Sequence, residues 1–324
     1  MRIKHMAVLL VMLGILAAAT SGQCGSREAD RYPTKPLNYL VVWDPGGQSD
    51  RTARLQQPLL EKALGQKIVI DYKVGGGGAV GWAQFVRSRA DGYNIVGTNL
   101  PTIVTQPILQ NVGYQTDQFV PICDFQYTPL VLATRKGSPY KTLKDFITDA
   151  KAKPGKLAIG GVALWSVTHI MALNLMKEAG IQAQFVPHTG TASMMSNILG
   201  GHVDVGIPYS DDMVRMADQI HVLAIATKER FPGRPDVPTF KEQGFDFDAG
   251  VSRGVAVPVG TPEYAVKKLE KAFVDISKSP EMVATMTKDG FVARALNGAE
   301  FKAEINRQVA FWRNALKDAD IKKK

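Results

Sequence analysis

Two glycine-rich turns, each set between a β-rich run and a helical pattern, predict an α/β protein. The turns are Pro45-Gly46-Gly47-Gln48-Ser49-Asp50 and Gly75-Gly76-Gly77-Gly78-Ala79-Val80-Gly81. A further alternation of strand and helix patterns over residues 129–227 predicts a second doubly wound unit. With 324 residues and a hydrophobic fraction of 45%, the chain is long enough to bury two such cores.

The elements follow in chain order. Residues 37–43 read as a strand that leads into the first glycine turn. Ser49 or Asp50 is placed to cap a helix over 51–64, Gly65 to end it and Pro58 to kink or divide it. A strand starts at Lys67, the second glycine turn follows, and a helix covers 80–89. Asp91-Gly92-Tyr93 turns the chain into a strand over 94–98, which predicts a parallel β-α-β-α-β run.

The second unit opens with a strand over 129–134 and a helix over 143–151 behind Thr142. Strands at 157–160, 184–187, 203–207 and 221–227 alternate with helices at 168–179, 191–199 and 211–217. A strand at 254–258 and helices at 262–278, 281–289 and 300–319 close the chain. In the last helix Phe301, Ile305, Val309, Trp312 and Leu316 form one stripe, the pattern of a core-facing helix.

Residues 1–22 have the layout of an export signal: Arg2 and Lys4, an apolar run, then Ala17-Ala18-Ala19-Thr20-Ser21-Gly22. The run is short for a membrane span. The two cysteines, Cys24 and Cys123, admit three readings: lipid attachment at Cys24, a disulfide, or neither. The formal charge of +9 includes Arg2, Lys4 and the terminal Lys322-Lys323-Lys324, so the body is only mildly basic. That suits small anions, and without an aromatic-interleaved basic stripe no nucleic-acid partner is expected.

A glycine turn between strand and helix brings backbone N–H groups and the positive end of a helix dipole towards whatever lies above the sheet. Gly76-x-Gly78-x-x-Gly81 matches a dinucleotide fingerprint, yet the next strand ends Gly97-Thr98-Asn99-Leu100 without the acid that would hold a ribose. No lysine follows the glycines as a phosphate loop requires, and no nucleophile elbow occurs. The five histidines lack metal-ligand spacing. No cofactor and no metal are expected, and the turns are read as a site for a carboxylate or phosphate.

Three further places join this reading. Ser166, Thr168 and His169 stand at a helix start, where capping is the simpler role. Thr189, Gly190 and Thr191 repeat the strand–glycine–helix arrangement, and Asp211 follows the next strand. Arg253 precedes Gly254, where a guanidinium could clamp a carboxylate or form a salt bridge between domains.

Val41-Val42-Trp43-x-Pro45-Gly46-Gly47-x-x-Asp50-x-x-Ala53-Arg54 resembles the opening motif of the tripartite tricarboxylate transporter substrate-binding proteins, the TctC or Bug family. Gly65-Gln66-x-Ile68-Val69-Ile70, Asp91-Gly92-Tyr93, Lys153-Pro154-Gly155-Lys156-Leu157, Leu199-Gly200-Gly201-His202-Val203-Asp204, Pro235-Asp236-Val237-Pro238-Thr239 and Pro258-x-Gly260-Thr261-Pro262 continue it in order.

The resemblance implies a two-lobed, type II-like periplasmic binding protein fold. Each lobe is a doubly wound sheet, with lobe 1 at 32–129 plus 251–324, lobe 2 at 130–250 and the ligand cleft between them. It implies a non-enzymatic, monomeric protein of the periplasm that hands a small organic carboxylate to one large and one small membrane subunit. A sensing role and an exported enzyme are the rival readings.

By position it places Gly46, Gly47 and Asp50 in one ligand loop and Gly77, Gly78 and Ala79 in the other, with Ser166, Thr168 and His169 opposite. Ser49, Thr189, Gly190, Thr191, Asp211 and Arg253 complete the expected ligand set, and the Arg253-Gly254 pair tilts it to a di- or tricarboxylate. Asp44 stands where the motif usually has an aromatic residue, a departure that opposes an anion unless the side chain points away.

Overall fold

The computed structural model describes Ala29 and residues 31–315. The proposed export signal, Cys24 and the terminal lysines lie outside the described residues.

The first glycine turn joins strand β1 (Leu37–Val41) to helix α1 (Gln48–Leu64), and the second joins β2 (Ile68–Tyr72) to α2 (Ala79–Phe85). β3 (Asn94–Leu100) completes the unit, and both β2 and β3 pair with β1 in parallel. Helix α1 begins three residues earlier than the pattern suggests, and Gly47 rather than Ser49 or Asp50 sits at its cap. Pro58 lies inside it without dividing it. The buried Ala53, Leu60 and Leu64 pack into one cluster with Leu269 and Phe273, which holds the helix together across the missing N–H. Gly65 ends the helix as expected, with φ 66° and its N–H bonded to the Glu61 carbonyl.

Helix α3 (Thr102–Leu109) was hidden by its β-branched run Thr102-Ile103-Val104-Thr105. The chain then forms β4 (Phe119–Pro129), longer than either strand it pairs with, and passes through buried Leu130 directly into β5 (Val131–Arg135). The strand expected from residue 129 is thus the junction of two strands on one path.

The second unit contains α4 (Leu143–Ala152), β6 (Ala158–Val162), α5 (Val167–Ala179), β7 (Gln184–His188) and α6 (Thr191–Gly200). After them come β8 (Val205–Gly206), α7 (Ser210–Arg215) and β9 (Ile220–Ile225). Thr142 caps α4, accepting from the Asp145 N–H while the Asp145 carboxylate accepts from the Thr142 N–H. The chain returns through β10 (Gly250–Pro258) and finishes with α8 (Glu263–Lys278), α9 (Pro280–Lys288), β11 (Val292–Asn297) and α10 (Gly298–Ala315). Phe301 of α10 is fully buried, and Ile305, Val309 and Trp312 pack on the core behind it.

Two sheets result. One has six strands in the order β11-β4-β10-β3-β1-β2, the other five in the order β7-β6-β8-β5-β9. β10 runs antiparallel to both β3 and β4, and β5 antiparallel to β8 and β9. Each sheet carries helices and forms one lobe. The chain crosses between them at Leu130 and again at Ala249, and the Leu130 N–H donates to the Ala249 carbonyl at 2.9 Å. The two crossings therefore lie side by side, as a hinge requires.

Candidate functional site

The C-terminal ends of the parallel strands and the turns behind them face one another across the two lobes. Trp43, Ser49, Asn99 and Thr102 enclose a narrow cavity together with Val162, Ser166, Thr191, Tyr209, Val251 and Arg253. Both sheets contribute. Four helices start on it: α1 with Ser49, α3 with Thr102, α5 with Ser166 and α6 with Thr191. Their free N–H groups and dipoles make the space electropositive.

Arg253 projects from β10 into this space and is only 4% exposed. Its Nε donates to Ser49 Oγ at 3.3 Å and its Nη1 to Thr128 Oγ1 at 3.5 Å. The guanidinium carbon lies 5.3 Å from the Tyr209 ring centroid. Among the described residues no carboxylate comes within ion-pair distance of it, so the salt bridge between domains is not formed. Burial holds its pKa below the ordinary value, and burial likewise pushes the Tyr209 hydroxyl up to about 12. A buried cation whose hydrogen-bond partners, Ser49 and Thr128, are neutral is the arrangement an incoming anion completes.

The expected site residues divide into those on the cavity and those around it. Ser49, Ser166, Thr191 and Arg253 line it. Asp50 turns back into its own loop: its Oδ2 accepts from the Gly46 N–H at 2.6 Å, and its Oδ1 accepts from Arg54 and the Tyr72 hydroxyl. Asp50 therefore shapes the turn that contains Gly46 and Gly47. Thr168 accepts from the Val162 N–H at 2.8 Å and bonds to Ser166 Oγ.

His169 Nδ1 accepts from the Trp165 N–H at 3.1 Å, with its ring against Trp165 and Phe185. That bond steadies a turn in which Ala163 and Trp165 both adopt positive φ. Burial pulls the His169 pKa down to about 4, so the ring is neutral.

The second glycine turn meets the other lobe and not the cavity. A Cβ on Gly77 would stand 2.5 Å from Ala163 Cβ and 2.8 Å from Gln106 Nε2, and Gly77 has φ 65°. Only glycine lets the two lobes approach this closely at that backbone angle. Gly78 packs beneath Trp82 and Val42, and Ala79 begins α2 away from the cavity.

Asp211 and the 189–190 turn also serve contacts between lobes. Asp211 accepts from Gln48 and Arg51 of α1, and Arg51 reaches Asp212 at 3.5 Å. Burial and the adjacent Asp212 push the Asp211 carboxyl up to about 7. Thr189 Oγ1 donates to Asp44 Oδ2 at 3.1 Å and Ser193 Oγ donates to the same oxygen at 2.8 Å. Gly190 lies under that carboxylate. Asp44 thus points across the cleft edge.

Trp43, Asn99, Thr102 and Tyr209 escaped the sequence reading. Trp43 Nε1 donates to Asn99 Oδ1 at 2.8 Å, which fixes the amide and leaves its NH2 as the donor. Asn99 and Thr102 flank the end of parallel strand β3, and Tyr209 follows the end of β8. Ligands of open α/β sheets gather at such strand ends, and that position was the available signal.

Residues 52–321 match the family model described as the tripartite tricarboxylate transporter family receptor, TctC. Protein BugT of Bordetella pertussis is 27% identical over 327 residues, covering 99% of this chain and 100% of that one. The structure of Rpa4515 of R. palustris with adipate superposes with a TM-score of 0.83 at 25% identity, covering 88% of this chain and 97% of the other. That of MatC (Rpa3494) from Rhodopseudomonas palustris with bound malate gives 0.82 at 25% identity, covering 88% and 100%.

Proposed function

Because the chain belongs to the tripartite tricarboxylate transporter receptor family, we propose that it captures a small organic carboxylate, with di- and tricarboxylates favoured, for such a transporter. Arg253 carries the proposal: a buried guanidinium with no carboxylate partner among the described residues, in a cavity where four helices begin. Two structurally similar proteins hold adipate and malate, which supports this ligand class. The role is that of a receptor, with no chemical step.

In this reading the protein works in the periplasm after export directed by residues 1–22, with Cys24 available for lipid attachment. It acts as a monomer and presents the loaded cleft to one large and one small membrane subunit. The lobes divide as 32–129 plus 251–324 and 130–250, and they part about the paired crossings to admit ligand. Ser49, Asn99, Thr102, Ser166, Thr191, Tyr209 and Arg253 hold the carboxylate. Gly46, Gly47, Asp50, Gly77 and His169 keep the surrounding turns in shape.

Thermal melting of the mature protein with mono-, di- and tricarboxylates tests this. A ligand at 100 times its Kd adds about 2.7 kcal/mol of stability, a clear rise in Tm. A rise with another solute class and none with any carboxylate overturns the proposal.

A further inference from the structure

At the cleft edge the Asp44 carboxylate crosses between lobes to the first turn of a helix that starts on the cavity. Asp44 leaves the end of β1 in the six-stranded lobe, and its Oδ2 accepts from Thr189 Oγ1 at 3.1 Å and Ser193 Oγ at 2.8 Å in the other. Both hydroxyls stand at the start of α6, whose first residue, Thr191, lines the cavity. The fit is close: a Cβ on Gly190 would lie 2.8 Å from Asp44 Cγ.

The adjacent acidic pair between the lobes, Asp211 and Asp212, already has arginine partners. Asp211 is held by Gln48 and Arg51, and Asp212 by Arg51 and Arg215. What faces a ligand is the Arg253 guanidinium beside α1 with Thr102 of α3 in one lobe, and Ser166 and Thr191 at the starts of α5 and α6 in the other. At the edge of α6 the Thr189 and Ser193 hydroxyls are taken by the protein's own Asp44 carboxylate.

We infer that Asp44 is a specificity-determining residue that limits the ligand to two carboxylates. This inference rests on the carboxylate-receptor reading and narrows its di- or tricarboxylate to a dicarboxylate. A third carboxylate directed at α6 meets a fixed negative charge, or displaces Asp44 and breaks the bonds that join the lobes there. A dicarboxylate meets neither obstacle.

Isothermal titration of the wild-type protein and Asp44→Asn with succinate, malate, adipate, citrate and tricarballylate tests it. The wild type binds at least one dicarboxylate, and binds both tricarboxylates at least about 100-fold more weakly. Asp44→Asn keeps the shape and an accepting oxygen but loses the charge, and it narrows that gap to about tenfold or less. Asp44→Ser is measured alongside, so a folding defect in one variant leaves the comparison intact.

A wild type that binds a tricarboxylate as tightly as its best dicarboxylate overturns the inference alone. So do variants that leave the ratio unchanged. A wild type that binds neither class overturns this inference, and one that also binds no monocarboxylate overturns the receptor reading with it.

Discussion

Arg253 of β10 lies with its guanidinium carbon 5.3 Å from the ring centroid of Tyr209, which precedes α7 in the opposite lobe. The cation is buried and its hydrogen-bond partners, Ser49 and Thr128, are neutral. Its desolvation is therefore offset in full only when an anion arrives. Arg253→Met should weaken carboxylate binding by about 2–5 kcal/mol, roughly 30-fold or more. The unliganded protein should keep or raise its Tm, because a buried charge has gone. Calorimetry and melting on the same samples check both halves.

Gly77 separates close approach from backbone strain. Gly77→Ala places a methyl 2.5 Å from Ala163 Cβ at a φ of 65°. The backbone cost is about 1–2 kcal/mol, and the clash falls on closure. Gly46→Ala carries similar strain at φ 74° with nothing within 4 Å of the new methyl. Scattering with saturating ligand should show Gly77→Ala wider than wild type and Gly46→Ala unchanged. Affinity should fall about tenfold or more for Gly77→Ala.

Asp211 should make stability depend on pH. Burial and Asp212 raise its carboxyl from 3.8 to about 7, so the folded protein holds a proton that the unfolded chain releases near pH 4. The penalty is absent below about pH 4, grows up to about pH 7 and is constant above. Asp124, pushed up to about 6 by burial, acts with the same sign. The measurement is therefore the difference between wild type and Asp211→Asn in denaturant. Relative to that variant, wild type should lose on the order of 3 kcal/mol between pH 4 and 7.

His169 acts in the opposite sense. Its folded pKa is lowered by burial from 6.5 to about 4, so the unfolded chain binds the proton first. The stability is complete above about pH 6.5 and is lost as pH falls towards 4, on the order of 3 kcal/mol in all. His169→Asn keeps an acceptor for the Trp165 N–H and should flatten this acid limb. Denaturant titrations at pH 7, 5.5 and 4.5 would show a parallel loss in both proteins if the histidine is not responsible.

Local chemistry in the sequence was enough for the α/β class, the two glycine turns and most helix ends. Gly65 and Thr142 stop and start their helices where neighbouring residues alone predict it. Arg253 and Ser49, some two hundred residues apart, were both named from the sequence and meet in the cavity. Helix α3 and strand β11 were not legible, because packing against the sheet and not propensity stabilises them.

What the sequence determined by itself is the set of turns that can face an anion, since that depends on glycine, capping hydroxyls and helix order. Only the tertiary structure decided which of them line the cavity. Between the lobes Asp44 meets Thr189 and Ser193, Arg51 meets Asp211 and Gly77 meets Ala163, while among the described residues Arg253 forms no ion pair. The physical reason is that ion pairing and close contact are set by distances between residues far apart in the chain, which no local pattern encodes.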